Sequence, residues 1–382
     1  MLKYFLYSAG ITLLFPMIAF TQQREKWIEL PREQWPMIAL TNHVAFKNGD
    51  KYIDPSFNYA GTGFLIQNGQ DTFAVTAKHI LWVARNKHSN SVQLNDALSK
   101  WIMKPKHAES DSVIINKLIN EDPFEVLTGA NSTILERDVL VFSVRSATEG
   151  LYILKPRYSN VVAGEKVFIV GYPYSESQMQ VLETRVLRKL GTDILIEQSP
   201  GKTVAGFSGS PIIDSNGYVV GIFSAASSDG NKDVYVAIST EYLNDVLSRK
   251  PDLNKPKQDY GALLLQTVLT KGTASAIKQY KGLIKEPKNF YIYNLRSSTT
   301  NGLRETGEKL IDMKRYNDAI DILRFNATVN SAYFRHYNLL AKAWLLAGNK
   351  EEAIRNYKIS TTKLDNRSEN PAFAELEKLD GR

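Results

Sequence analysis

Residues 205–214 read AGFSGSPIID. Gly206 and Gly209 stand on either side of Ser208. Glycines at those places let the chain turn tightly, and a tight turn can aim successive backbone N–H groups inward. Such a turn can hold an oxyanion while presenting the Ser208 hydroxyl to a base. The same residues serve equally well as a plain Gly/Ser loop ahead of an apolar strand. The surroundings have to decide between the two.

Outward from this stretch, the chain between about Ile38 and Ser239 alternates short β-branched and aromatic runs with turn signals. TGFLIQNGQDTFAVTA, DVLVFSV, EKVFIVGYP and SPIIDSNGYVVGIFS are examples. Asn-Gly at 68–69 and 216–217 falls between such runs, a hairpin signature. Many short strands at this spacing predict an all-β barrel or sandwich. The segment STEYLNDVLSRK (239–250) predicts one helix, capped by Ser239 or Thr240, with Arg249 and Lys250 in its last turn.

The chain has 382 residues, enough for two or three domains at roughly 150 residues each. Hydrophobic content of 43% and charged content of 23% suit a folded chain rather than a disordered one. The net charge is +7, but its positive residues are scattered without a Lys/Arg block, which argues against a nucleic-acid partner. The chain contains no cysteine, which excludes disulfides, thiolate nucleophiles and Cys-ligated zinc. Nothing in the sequence calls for a metal or another cofactor.

At the start, Lys3 precedes an apolar stretch from Tyr4 to Phe20, broken by Pro16, with Ala19 and Thr21 as small residues before Gln22. This is the pattern of a removed export signal over 1–21, and it is short for a membrane span. The expectation is an exported protein, periplasmic or secreted, with no stable membrane span once the signal is gone. Residues 22–37 read as a polar connector carrying two tryptophans.

Two further residues bear on Ser208. Five histidines occur, and His79 alone ends a strand-like run, FAVTAKHIL. Asp138 opens the apolar run RDVLVFSV, where an acid is costly beside a core and also suits closure of the preceding turn. Their chain order is His79, Asp138, Ser208. That order, and Ser210 in place of a glycine, depart from the Gly-x-Ser-x-Gly elbow of α/β-hydrolases.

Together these stretches resemble the chymotrypsin-like, two-barrel serine peptidases, in particular their bacterial trypsin-like branch. GTGFLIQNG and TFAVTAKH resemble that family's Gly-x-Gly-Phe hairpin and Thr-Ala-x-His. RDVLVFSV resembles its aspartate strand, GFSGSP its Gly-x-Ser-Gly-x-Pro, GYVVGIFS the strand lining its substrate cleft, and EYLNDVL its closing helix. The likeness spans roughly 38–249. It implies a two-barrel domain over 38–250 that hydrolyses peptide bonds through an acyl-enzyme. Ser208 would be the nucleophile, His79 the base and then the acid, and Asp138 the group that orients the histidine. Backbone N–H groups of Gly206 and Ser208 would form the oxyanion hole, and Lys202 and Ser224 would line the substrate pocket. Phe207 departs from the family's digestive members, which carry an aspartate there to pair with a newly cut amino terminus. The departure implies a domain competent without such cleavage. A peptidase-fold scaffold that no longer cleaves is the alternative.

Beyond a polar, proline-bearing linker (251–259) the apolar period changes from 2 to about 3.6, so 260–380 is predicted to be helical. Ala319 and Ala353 lie 34 positions apart, and at the same offset Leu303 matches Tyr337, Gly307 matches Ala341, Leu310 matches Trp344 and Leu323 matches Tyr357. A 34-residue helix–turn–helix period is that of tetratricopeptide repeats, and YNDAIDIL and KEEAIRNY resemble their second helices. Repeats are placed at about 303–336 and 337–370, with a degenerate helix pair before them and residues 370–379 as a cap. They imply a protein or peptide partner.

Overall fold

The computed structural model describes residues 24–50, 52, 58–85, 91–94, 98–108, 110–126, 137–229, 232–248, 258–286, 288–293, 295, 302–331 and 333–380. The export segment and most of the 251–259 linker lie outside these residues.

The first barrel contains β1 (Leu40–Phe46), β2 (Thr62–Asn68), β3 (Asp71–Thr76), the short helix α1 (Ile80–Ala84), β4 (Ser91–Val92), β5 (Leu98–Lys104), β6 (Val113–Leu118), β7 (Asp122–Val126), β8 (Leu140–Ala147) and β9 (Ile153–Leu154). Its antiparallel strands run in the order β1-β5-β6-β8-β3-β2, and β1 closes the ring on β2 through Leu40↔Gly63. Strand β9 adds in parallel to β2, and β4 and β7 form a side ribbon. The Asn-Gly pair makes the β2–β3 turn, with Asn68 opposite Asp71 and Gly69 at φ 62°.

The second barrel contains β10 (Lys166–Gly171), β11 (Gln180–Leu190), β12 (Asp193–Glu197), β13 (Pro211–Asp214), β14 (Val219–Asp229) and β15 (Lys232–Ser239), closed in the order β10-β11-β12-β15-β14-β13. Period-2 patterning is plain in β11, where Leu182, Thr184 and Val186 are buried while Glu183, Arg185 and Leu187 face water. Helix α2 (Thr240–Leu247) follows, capped by the Ser239 side chain, which accepts from the Glu241 N–H. It ends at Leu247, short of the predicted basic last turn; Arg249 and Lys250 lie outside the described residues.

Each barrel has its own interior. Leu40, Leu65, Trp101, Met103 and Phe142 fill the first; Val167, Ile194, Ile212, Phe223 and Tyr235 fill the second. A third core lies at the seam and belongs to both, with Phe64, Val75 and Val141 from one barrel meeting Phe168, Val170, Ile213 and Ile222 from the other. This explains why β10 is buried on both faces.

Residues 24–37, expected as a polar connector, instead form a strap of two 3-10 turns, Lys26–Glu29 and Arg32–Gln34. Trp27 and Trp35 are buried in the seam core and meet edge to face at 5.1 Å. The strap is also tied by main chain to the β13–β14 turn, where the Glu25 N–H donates to the Asn216 carbonyl at 2.9 Å. Most polar residues of this segment face water, and a compositional reading passes over Trp27, Ile28 and Trp35, which do the packing.

The helical region holds α3 (Tyr260–Lys271), α4 (Thr273–Leu283), α5 (Asn289–Ile292), α6 (Gly302–Asp312), α7 (Tyr316–Val329), α8 (Phe334–Leu346), α9 (Lys350–Lys363) and α10 (Ala372–Asp380). They pack as hairpins around Leu264, Leu303, Leu310, Ala319, Leu323 and Leu340. At Gly307 the helices α6 and α7 come so close that a Cβ would overlap the Leu323 side chain. Among the described residues no helix is long and apolar enough to cross a membrane.

Candidate active site

The three residues singled out from the sequence come from different elements and meet at the seam. His79 sits at the N-cap position of α1, just beyond the end of β3. Asp138 lies two residues before β8, and Ser208 three residues before β13. His79 Nδ1 is 2.7 Å from Asp138 Oδ2, and His79 Nε2 is 2.8 Å from Ser208 Oγ.

Asp138 is 1% exposed, and its carboxylate collects donors on both oxygens. The His79 backbone N–H donates to Oδ1 at 2.8 Å, and the Ser224 hydroxyl donates to Oδ2, which also accepts from the His79 ring. Burial alone would push the Asp138 carboxyl up. The His79 charge and these hydrogen bonds outweigh burial and hold it below the usual carboxylate range. For His79, burial pushes the imidazolium down, but the Asp138 charge and hydrogen bond win and raise it above its ordinary 6.5. An ionised Asp138 fixes the proton on Nδ1, so that neutral Nε2 accepts from Ser208 O–H.

Ser224, expected in the pocket, turns its hydroxyl to Asp138. The register of β14 against β15 shifts between Phe223 and Ala225, and this bulge re-aims the side chain. Lys202, the other pocket expectation, is exposed on a turn in which its N–H donates to the Ser199 carbonyl at 3.4 Å.

The loop around Ser208 is held by its own backbone. Gly206 and Gly209 have φ of 103° and 89°, the region that glycine tolerates. Phe207 is fully buried among second-barrel side chains, 6.2 Å from the Phe223 ring centroid. The Phe207 N–H donates to Val204 and the Ser210 N–H to the Phe207 carbonyl. In a trans peptide the C=O and N–H point oppositely. The Phe207 carbonyl is bound to Ser210, so the Ser208 N–H points the other way. The Ala205 carbonyl likewise accepts from Tyr174 N–H at 2.8 Å, which turns the Gly206 N–H away from Tyr174. Among the described residues neither N–H donates to a backbone carbonyl. Both donors of this loop are thus left for an acceptor outside its own backbone.

The sequence reading missed Thr62, which joins the barrels at this loop. Its N–H donates to the Ser208 carbonyl and its hydroxyl to the Gly206 carbonyl, both at 2.8 Å. Thr76 Oγ1 in turn donates to the Thr62 carbonyl at 2.6 Å. Nothing in GTGF marks the threonine, because its bonds go to main chain far along the polymer.

Beyond Phe223, the edge of β14 that faces away from β15 pairs with no strand among the described residues. That free edge begins beside Ser208. No cluster of side chains suited to a metal ion occurs among the described residues.

Residues 61–222 match the family described as the trypsin-like peptidase domain. No curated protein matches the chain. Among solved structures, the Rv3671c protease in an inactive form is 15% identical, with a TM-score of 0.36, covering 56% of this chain and 89% of that one. A serine-to-alanine mutant of Rv3671c from M. tuberculosis H37Rv, also in an inactive form, is 15% identical, with a TM-score of 0.36, covering 55% and 85%. Likeness at that level carries no inference about chemistry.

Proposed function

We propose that the chain is a serine endopeptidase working through His79, Asp138 and Ser208, in keeping with the match of residues 61–222 to the trypsin-like peptidase domain. The observation that carries this reading is the unbroken hydrogen-bond line from Asp138 through His79 to Ser208 Oγ, at 2.7 and 2.8 Å.

Ser208 Oγ attacks the scissile carbonyl as His79 Nε2 takes its proton. The negative charge that develops on the carbonyl oxygen is met by the N–H groups of Gly206 and Ser208, each worth roughly 10²–10³-fold in rate. His79 then protonates the leaving amine, and an acyl-Ser208 remains. Water, deprotonated by His79, attacks the acyl carbon and frees the serine. Asp138 stays ionised throughout, holding the tautomer and stabilising the imidazolium. A peptide substrate extends along the free edge of β14 as an added strand, its main chain bonding while side chains alternate into and out of the cleft. Lys202 lies on an exposed turn; if its ammonium turns to the cleft when substrate binds, an acidic or polar residue is favoured at the cleavage point.

The chain is exported by its first 21 residues, and its helical region engages a protein or peptide. A groove of about 630 Å³ among α6, α8 and α10, lined by Arg304, Asn338, Leu339, Lys342 and Glu375, is the surface suited to that. The deciding experiment is a fluorophosphonate label. Wild type takes one label, at Ser208, and Ser208→Ala takes none; a folded wild-type chain that stays unlabelled identifies a scaffold that no longer cleaves.

A further inference from the structure

A lysine from the first barrel reaches the nucleophile loop of the second through two peptide planes. Lys106 follows β5, and its Nζ lies within hydrogen-bond distance of the carbonyls of Pro173 (3.2 Å), Tyr174 (3.2 Å) and Glu176 (2.6 Å), and of the Tyr59 hydroxyl (3.2 Å). Tyr59, buried, donates its own O–H to the carbonyls of Tyr172 and Pro173 at 3.3 and 3.1 Å. Four main-chain carbonyls of the segment 172–176 therefore converge on one ammonium and one phenol of the opposite barrel. An ammonium has only three donors, so these acceptors share it.

The peptide between Pro173 and Tyr174 is the first plane. Its oxygen accepts from Lys106, and its N–H, on the opposite side, donates to the Ala205 carbonyl at 2.8 Å. The peptide between Ala205 and Gly206 is the second plane. Its oxygen accepts from Tyr174, and its N–H is the Gly206 donor proposed for the oxyanion hole. The planes are packed tightly, since a Cβ on Gly206 would lie 2.5 Å from the Tyr172 carbonyl oxygen and 2.8 Å from the Tyr174 nitrogen. Hydrogen-bonded peptides in series polarise one another, and a cation at the acceptor end strengthens the last donor.

Building on the peptidase reading, we propose that Lys106 is a positioning residue for the oxyanion hole: it orients and polarises the Gly206 N–H through the peptides 173–174 and 205–206. Lys106 touches no substrate. With Phe207 in place of an acid, this relay does from the opposite barrel what a newly cut amino terminus does in relatives that need cleavage.

The test compares Lys106→Met with Lys106→Arg by peptide turnover, by fluorophosphonate labelling and by hydrogen exchange at the Tyr174 amide. The expected result for Lys106→Met is a fall in kcat and labelling rate of about tenfold to a hundredfold, below the roughly 10²–10³-fold of losing a donor outright. KM stays within about threefold, because ground-state binding is untouched. The Tyr174 amide loses protection, and Lys106→Arg, which keeps the cation, recovers part of both. A folded Lys106→Met that labels at the wild-type rate, or that raises KM and leaves kcat alone, overturns the proposal. Should that variant not fold, Tyr59→Phe removes the second donor to Pro173. It is expected to show a smaller loss of the same kind, and wild-type labelling there overturns the relay. A wild-type chain that takes no label defeats the peptidase reading; the relay is then judged on whether Tyr174 protection depends on Lys106.

Discussion

Asp138 and His79 bind each other's charged forms, and this sets two opposite pH responses. The raised histidine adds stability that is fully present below about pH 6.5 and is lost as pH rises through its folded value. The lowered aspartate adds stability that is present above its ordinary 3.8 and is lost as pH falls through its folded value. Turnover follows the neutral imidazole, since only that form accepts the Ser208 proton. The pH profile of kcat/KM should therefore reach half its maximum above pH 6.5. In Asp138→Asn that midpoint should move down as kcat drops by roughly 10⁴-fold. Both effects come from one titration of steady-state rates, and an unmoved midpoint would show that the carboxylate does not govern the ring. At this scale much was legible in advance. Although each alone also suited a turn, a loop or the surface, His79, Asp138 and Ser208 stood out through their chain order and the family motifs that their surroundings resemble. Thr62, Tyr174 and Lys106 did not, because each works through backbone atoms whose partners leave no mark on composition. Ser224 was noticed for the cleft, but a one-residue bulge gave its hydroxyl to Asp138, and no periodicity argument foresees a bulge.

Among the elements, the nucleophile loop depends on glycine as much as on serine. Gly209 has φ 89°, and a Cβ there would overlap the Thr62 carbonyl and the Thr76 hydroxyl and stand 2.7 Å from the Ala77 nitrogen. Gly209→Ala should cost at least about 1–2 kcal/mol through the backbone conformation alone. The overlap with fixed main chain adds to that, and the label at Ser208 should disappear with it. Urea unfolding and labelling measure the two losses; an alanine variant of native stability and reactivity would mean that the loop adapts. Strands with one buried face were readable by alternation, as in β11, and those buried on both faces, as β10, by short β-branched runs between turn signals. The end of α2 was not, because basic residues after an apolar run look the same inside a last turn and beyond it.

The whole molecule divides along its cores. The seam core unites both barrels and the strap, while the helices close on their own residues. Leu190 of β11 packs at the edge of the helical core and Ile292 of α5 at the edge of the seam core, so the two regions touch through side chains at their margins. Calorimetry should resolve two transitions, and an inhibitor bound at Ser208 should raise the temperature of only one; a single cooperative peak that shifts as a unit would show tighter coupling. The strap carries a different consequence. In the digestive members of the family that the sequence resembles, a newly cut amino terminus pairs with an aspartate where this chain has Phe207. Here the segment ahead of Ile38 brings two indole rings into the joint between the barrels that carry His79 and Ser208, and removing a buried tryptophan ring costs about 3–5 kcal/mol. Proteolysis between Leu30 and Ile38 would therefore silence this domain rather than awaken it, and the same scission that matures one peptidase would retire another.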